Sequence, residues 1–378
     1  MTKSALYIGL MSGTSLDGVD AVLARFDHKG APALLARANV DFPLPLREEL
    51  LALNQSGANE LERAALASNA LARLYAQAVR QILSEANVSS HQVAALGAHG
   101  QTVRHRPDLG FTIQLNAPAL LAELTGITVI ADFRSRDVAA GGQGAPLVPI
   151  FHAGVFKAPH TRVILNLGGI ANITVLRPGQ PPSGFDTGPA NMLMDMWCER
   201  HKGCAFDADG AWGASGAVDS ALLSWLLKSE PWFALPAPKS TGRDLFNQEW
   251  LDSRLQQHRA NSGQALHPMT ELEARNIQAT LRRLTAVTVA QAIQACAPEA
   301  AEVLVCGGGA RNASLMLDLQ NIMPSPVKTT ESEGIGTQDV EALAFAWLAW
   351  AHQQGLSAGH PAVTGASGHR ILGACWPA

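Results

Sequence analysis

The sequence carries little charge, and its charges are not concentrated in any one region. Only 16% of the 378 residues are charged, and the formal net charge is −4. A nucleic-acid-binding protein would be expected to carry a basic patch or stripe, and an interaction tail would show as a block of like charges. With 47% hydrophobic residues, the composition predicts a soluble globular protein with no nucleic-acid partner.

Long apolar runs and paired cysteines are also missing. The N-terminal stretch leads straight into a predicted strand, and it lacks the apolar core and cleavage site of a signal peptide. The apolar run Ala342–Ala351 is too short to cross a membrane. The five cysteines form an odd, scattered set, as is usual for reduced thiols in a long chain. We therefore expect a cytoplasmic protein without a membrane partner.

Two common nucleotide-binding motifs are absent, and glycine-rich turns are present instead. No Gly-x-x-x-x-Gly-Lys-Ser/Thr occurs, which excludes a P-loop, and no Gly-x-Gly-x-x-Gly follows the first strand, which argues against a Rossmann site. Glycine-rich turns follow predicted strands at Ser12–Gly18, Gly168–Gly169 and Gly307–Gly309. Together they indicate a nucleotide held, as in actin-like proteins, by hairpins from two half-domains.

The first glycine turn joins two predicted strands, Ala5–Met11 and Val19–Phe26. Hydroxyls and a carboxylate lie within the turn, on Ser12, Thr14, Ser15 and Asp17. Backbone amides beside hydroxyls can hold phosphate. The same residue types are also the commonest in an ordinary tight hairpin, and this segment alone leaves both interpretations open.

The length of the chain and a repeated pattern predict two domains. A single hydrophobic core rarely supports 378 residues, and a second strand, glycine turn and strand occupy Arg162–Leu176. Alternating strands and helices predict an α/β fold with a mixed sheet. We assign residues 1–140 with about 342–378 to an N-terminal domain, and residues 141–341 to a C-terminal domain.

Candidate catalytic and binding residues follow the predicted strands. Asp186 lies in the segment Gly184–Asp195, which is predicted as a loop that enters a helix near Asn191. It could take a proton from an attacking oxygen, or it could be a helix-entry or turn residue. His99, in the segment ending at Thr102, also lies just after a strand, where α/β proteins bind ligands. Arg134 or Arg136 could bind a carboxylate or phosphate through a bidentate fork, or could form a salt bridge with a neighbouring aspartate.

These motifs together resemble the anhydro-N-acetylmuramic acid kinase family of bacterial cell-wall recycling. The matching segments are, in family order, Gly9–Asp20, His99–Thr102, Gly141–Leu147, Leu165–Asn172, Phe185–Asn191 and Val305–Asn312. The family belongs to the superfamily of sugar kinases, Hsp70 and actin. The resemblance therefore implies a two-domain actin-like ATPase (ribonuclease-H-like, duplicated) fold with a central cleft, and a homodimer.

The resemblance also implies a reaction and a set of site residues. Water opens the 1,6-anhydro ring at C1 while the released O6 takes the γ-phosphate of ATP, with Mg²⁺ as cofactor, to give N-acetylmuramic acid 6-phosphate. Asp186 is then the base that activates water, Glu341 is a second catalytic residue near the substrate, and His99, Arg134 and Asp186 bind the sugar. The expected ATP-binding residues are Gly13, Thr14, Ser15, Leu16, Asp17, Gly18, Val19, Asp20, Gly168, Gly169, Asn172 and, on the adenosine side, Gly307, Gly308 and Gly309.

One position departs from the wider superfamily. Many members begin the first hairpin with Asp-x-Gly-Thr, whose aspartate helps to hold hydrated Mg²⁺, and the corresponding residue here is Met11. A magnesium role would then pass to Asp17, Asp20 or a group in the second domain. Two other functions remain open: a simple sugar kinase that opens no ring, and an ATP-driven switch like actin or Hsp70.

Overall fold

The computed structural model describes residues 5–13, 16, 18–237, 239–243, 245–262 and 268–378. Its strands are β1 (Ala5–Met11), β2 (Gly18–Phe26), β3 (Pro32–Asp41), β4 (Val93–Ala98), β5 (Gln101–Arg106), β6 (Phe111–Leu115), β7 (Val129–Ala131), β8 (Arg162–Leu167), β9 (Ile170–Leu176), β10 (Ser183–Pro189), β11 (Glu302–Cys306), β12 (Val327–Thr329) and β13 (Ala374–Trp376). Its helices are α1 (Leu44–Ala52), α2 (Glu60–Glu85), α3 (Pro118–Thr125), α4 (Ser135–Ala139), α5 (Val148–Val155), α6 (Asn191–Lys202), α7 (Ala211–Ala214), α8 (Ser220–Ser229), α9 (Gln248–Asn261), α10 (Glu271–Cys296), α11 (Ala313–Ile322), α12 (Val340–Gln353) and α13 (Pro361–Thr364).

The chain divides into two compact units. The first unit is Met1–Lys157 with Gln338–Ala378, and the second is Ala158–Thr337. The sequence-based division placed the junctions at 140/141 and 341/342. The units divide elsewhere because α5 packs against α12, which keeps residues 148–155 in the first unit. No helix in the described part of the chain is long and apolar enough to span a membrane.

The first unit is built on a mixed sheet in the order β13-β7-β4-β1-β2-β3. Strands β1, β2 and β3 form an antiparallel meander, whereas β1, β4 and β7 run parallel. Ile8 and Leu10 of β1 share a core with Leu71 and Tyr75 of α2. Gly9, between them, faces the opposite side of the sheet, where α12 packs. The sheet is therefore covered by α2 on one face and by α12 on the other.

The second unit repeats this arrangement with the strand order β10-β9-β8-β11-β12. Here β8, β9 and β10 form the antiparallel meander, and β8, β11 and β12 run parallel. Helix α10 contributes much of the core, and it begins at a capping box formed by Thr270 and Glu273. The strand order and the strand directions are therefore the same in both units, with β3-β2-β1-β4-β7 in the first matching β10-β9-β8-β11-β12 in the second. This match confirms the predicted duplicated α/β fold.

Several local predictions are corrected. Residues 183–189, predicted as a loop, form strand β10. Residues 231–234 of the unassigned segment form a 3-10 helix. Helices α5 and α9 were not predicted from the sequence. The predicted hairpins near residues 5–26 and 162–176 are confirmed, as is the break in the helical segment 45–86.

Candidate active site

A polar row crosses the sheet of the second unit. Asn166 of β8 is opposite Asn172 of β9, and Asn172 is opposite Asp186 of β10. Directly opposed residues of antiparallel strands project from the same face. The sheet therefore presents two amides and one carboxylate side by side, at the end where β8 turns into β9.

Glycine-rich segments gather at the same end of this sheet. Gly168 and Gly169 form the β8–β9 turn, and their carbonyl groups accept hydrogen bonds from the amides that open α6, including Asn191 N–H to Gly168 O at 3.0 Å. A Cβ on Gly307 would collide with Asn166, and one on Gly309 would lie 2.6 Å from Leu167 Cβ. The second unit thus brings together the predicted residues Gly168, Gly169, Asn172, Asp186, Gly307, Gly308 and Gly309.

Asp186 lies on a strand with a bulge rather than in the predicted loop. Asp186 pairs with Asn172 and Gly188 pairs with Ala171, so Thr187 is the extra residue of a β-bulge. Its hydroxyl donates to the Ala171 carbonyl at 3.2 Å. Bulges bend a strand and redirect a side chain, and they are common beside active sites. Glycines and a proline suggested a turn, but β10 is the outermost strand in this order, where proline is tolerated.

Two hydrogen bonds connect Asp186 to a segment far along the chain. Its backbone N–H donates to the Lys239 carbonyl at 3.0 Å, and its Oδ2 accepts the backbone N–H of Thr241 at 2.9 Å. Lys239 and Thr241 were missed as candidates from the sequence, because only folding brings them to Asp186. Asn166 and Asn191 were also left out, although both lie within the glycine-rich motifs.

In the first unit, polar residues follow the carboxyl ends of the parallel strands. Ser12 follows β1, His99 follows β4, and Arg134 lies beyond β7. The Ser12 hydroxyl donates to the Gly100 carbonyl at 3.0 Å, so its 3.0 Å contact with Tyr75 is a bond donated by the tyrosine hydroxyl. Burial raises the pKa of Tyr75, which keeps this phenol a donor.

His99 is buried between Ser12 and Arg134. Its Nε2 lies 2.9 Å from Nη2 and 3.3 Å from Nε of Arg134. A guanidinium only donates, so Nε2 is the unprotonated acceptor and Nδ1–H points at the Ser12 carbonyl 3.3 Å away. Burial, reinforced by the charge of Arg134, lowers the pKa of His99 to about 3. The ring is therefore neutral, and both of its nitrogens are engaged by the protein.

Arg134 also makes contacts on the side of its guanidinium away from His99. These contacts bear on whether Arg134 or Arg136 is placed to bind a ligand, which the sequence leaves open. Its Nη1 donates to the Gly144 carbonyl at 2.8 Å. The Gly144 amide in turn donates to the buried Asp137 at 2.8 Å. Asp137 therefore binds the loop that holds Arg134, while Arg136 is exposed. Of the two arginines, Arg134 is the one fixed at the strand ends.

The first glycine hairpin is described in part. Thr14, Ser15 and Asp17 lie outside the described residues. Leu16 and Val19 have buried side chains, so a ligand could meet only their backbone. Gly13 O accepts the Leu16 amide at 3.3 Å, and Gly18 begins β2.

Two acidic residues lie at this end of the first unit. Asp20 is opposite Met11, on the same face of the hairpin, and accepts a hydrogen bond from Asn39 at 2.9 Å. Glu341 lies in the first turn of α12, where the helix dipole favours a carboxylate. That turn packs beside the carboxyl end of β1, because Gly9 approaches Ala342 so closely that a Cβ would collide with its carbonyl oxygen.

Two sheets of equal topology, each ending in glycine-rich turns and polar side chains, define a duplicated α/β protein of the ribonuclease-H-like class. A family model described as anhydro-N-acetylmuramic acid kinase matches residues 5–378. The chain belongs to the anhydro-N-acetylmuramic acid kinase family, as its motifs predicted. It is therefore an enzyme, a kinase of amino sugar metabolism.

Curated relatives agree over nearly the whole length. The anhydro-N-acetylmuramic acid kinase of Bordetella petrii is 60% identical over 377 residues, covering 100% of this chain and 97% of that protein. The protein of the same name from Bordetella pertussis is 62% identical over 373 residues, covering 99% and 96%. The one from Cupriavidus metallidurans is 52% identical over 385 residues, covering 99% and 98%.

Proposed function

We propose that this chain uses ATP to convert 1,6-anhydro-N-acetylmuramic acid into N-acetylmuramic acid 6-phosphate, opening the ring with water in the same reaction. One observation carries the assignment of the base. Asp186 lies at a β-bulge, fixed by the Thr241 amide 2.9 Å away, at the glycine-lined end of the second sheet. A fixed carboxylate beside glycine turns has the chemistry to activate water next to a bound phosphate.

The two steps balance as one reaction. Asp186 takes a proton from water as the water oxygen bonds to C1 of the sugar. The C1–O6 bond breaks, O6 bonds to the γ-phosphorus, and ADP leaves. The products are ADP, the opened sugar carrying phosphate on O6, and the proton that Asp186 then releases to solvent.

Backbone amides supply the phosphate contacts in this proposal. In the second unit these are the amides of the glycine segment 168–169, with the side chain of Asn172, while Gly307, Gly308 and Gly309 contact the adenosine side of ATP. Amides at turns and helix N-termini favour anions. In the first unit we assign the same role to residues 13–20. Arg134, with His99 behind it, and Glu341 contact the sugar.

The residues present also fit Mg²⁺, which prefers oxygen ligands. Asp20 projects from the same face as Met11, the position at which the wider superfamily carries its aspartate. We therefore assign Asp20 as a residue that would hold hydrated Mg²⁺, which neutralises charge on the phosphate oxygens. The family resemblance further supports a cytoplasmic location and a homodimer. Light scattering, which measures the molar mass in solution, tests the homodimer.

To test this, the enzyme is incubated with ATP and 1,6-anhydro-N-acetylmuramic acid in oxygen-18 water, and the mass of the product is determined by mass spectrometry. We expect a gain of phosphate plus water, with the label at C1. Asp186→Asn should lower kcat by about 10²–10⁴-fold, the usual contribution of a general base, with little change in ATP affinity.

Asp209→Asn is the matched control, because it removes an exposed aspartate of the same unit and should keep full activity. Product without the label would indicate a simple sugar kinase, and near-normal turnover by Asp186→Asn would remove the assigned base. ADP formation that did not depend on the sugar would favour the switch protein.

A further inference from the structure

A short segment of the second unit runs along the outermost strand of its sheet. Strand β10 is the outermost strand in the order β10-β9-β8-β11-β12, and it pairs with β9 along one of its two edges. The short segment lies along the other edge. There the Lys239 carbonyl accepts the Asp186 amide at 3.0 Å, and the Thr241 amide donates to Asp186 Oδ2 at 2.9 Å. Residues 239–241, here called the edge segment, thus bind both the backbone and the carboxylate of Asp186.

The edge segment is held in place by the side chain of Lys239. Its ammonium donates to the Phe233 carbonyl at 2.9 Å and to the Trp232 carbonyl at 3.3 Å, and it lies 4.3 Å from the centre of the Trp232 ring. Burial lowers the pKa of Lys239. Two carbonyl acceptors and an aromatic face together replace the water that this ammonium loses.

Trp232 gives the segment a second attachment and connects it to the core. Its Nε1 donates to the Ser240 carbonyl at 3.1 Å. Its backbone N–H donates at 3.1 Å to the buried carboxylate of Glu230, which also accepts the Trp250 indole at 2.8 Å. The anchor of Lys239 is therefore tied to α9 through Glu230 and Trp250.

We propose that Lys239 is a positioning residue for Asp186. By fixing the edge segment, its ammonium keeps the Thr241 amide on the carboxylate, which sets the direction in which Asp186 faces its substrate. The inference rests on the proposed function, in which Asp186 is the base. Misplacing a catalytic group by about 1 Å can lower a rate by about 10²-fold, so loss of the ammonium should act on kcat.

The test compares Lys239→Met with Lys239→Arg and with Lys228→Met, which alters an exposed lysine of α8 in the same unit. We expect Lys239→Met to lower kcat by about 10²-fold while KM for ATP changes by less than about twofold. Lys239→Arg, which keeps a cation that can lie over the Trp232 ring, should recover part of kcat. Lys228→Met should match the unaltered enzyme.

The pH profile separates positioning from general loss of structure. A donated N–H favours the ionised form of a carboxylate, so the acid limb of kcat should move to higher pH in Lys239→Met. Trp232→Phe, which keeps an aromatic ring but removes the donor to Ser240, provides a second variant and should move the limb in the same direction. An unmoved limb in both variants would overturn the inference.

The result also distinguishes the two proposals. If Asp186→Asn is inactive while Lys239→Met has normal kcat, only the role of Lys239 is wrong. If Asp186→Asn retains activity, the proposed base is wrong whatever Lys239 does.

Discussion

Arg134 donates two hydrogen bonds to Nε2 of His99, and only a neutral ring can accept them. His99→Leu removes the acceptor that Nε and Nη2 of Arg134 share. A hydrogen bond to a charged group contributes about 1.5–3 kcal/mol, so KM for the sugar should rise by about 10–100-fold if Arg134 binds it. KM for ATP should stay within about twofold.

His99→Gln is the matched variant for that measurement, because its side-chain carbonyl can replace the ring nitrogen as acceptor. It should recover part of the sugar affinity, as measured by steady-state kinetics. An unaltered sugar KM in a folded His99→Leu enzyme would contradict the role of Arg134 in binding.

At this scale the sequence predicts which residue types carry chemistry better than it predicts what they touch. Asp186 stands out because it lies in a motif with glycines on both sides, and family resemblance supports it. Lys239 has no such signal, since its contacts with Trp232 and Phe233 depend on the path of the loop between them. The sequence predicts that His99 binds substrate, but it does not predict that His99 is buried between Ser12 and Arg134. That burial arises because the three residues follow neighbouring strands of one sheet.

Helix α12 and strand β1 are in direct backbone contact, and one glycine permits it. A Cβ on Gly9 would collide with the Ala342 carbonyl and lie 2.6 Å from the Ala346 nitrogen. Gly9→Ala must therefore move the helix away from the strand, and overpacking of this kind costs about 1–3 kcal/mol. Because α12 carries Glu341 in its first turn, kcat should fall as well.

Urea unfolding and steady-state kinetics measure both effects. Gly154→Ala is the control, because a Cβ there meets its nearest neighbour, Trp347 Nε1, at an ordinary 3.9 Å. It should be neutral or slightly stabilising, since alanine favours helix over glycine. Equal free energies of unfolding for Gly9→Ala and the unaltered protein would contradict the close approach.

The elements that the sequence predicts well have a strong local signal. The hairpins around residues 13 and 168 combine apolar strands with glycine turns, and α2 is a long run of helix-forming residues. Strand β10 was missed because Gly184, Gly188 and Pro189 are turn residues by composition. Its pairing with β9 overrides that local preference, which no local pattern could reveal.

At the scale of the whole molecule, the two units differ in how they should respond to acid. Burial lowers the pKa of both His99 and His152 to about 3, and both belong to the first unit. In the second unit, burial of Glu302 alone would raise its pKa. Hydrogen bonds from His160, Arg162 and Lys328 outweigh burial and lower the pKa to about 2.

These shifts set the pH windows in which stability is lost. The unfolded chain binds a proton at each buried histidine below pH 6.5, whereas the folded chain does so only near pH 3. Stability from each is therefore complete above pH 6.5 and falls below it by up to about 1.4 kcal/mol per pH unit. The contribution of Glu302 is present above pH 4.5 and is lost as the pH falls towards 2.

The first unit should consequently lose more stability than the second as the pH drops from 7 to 5, because His201, a histidine of the second unit whose pKa burial also lowers, is only partly buried. Calorimetry at the two pH values should show a fall in Tm that is smaller in His152→Leu, which removes the titration of one deeply buried histidine. His28→Gln, which alters an exposed histidine of the same unit, should show the full fall. If His152→Leu loses as much Tm as the unaltered protein, protonation of His152 is not what destabilises the first unit.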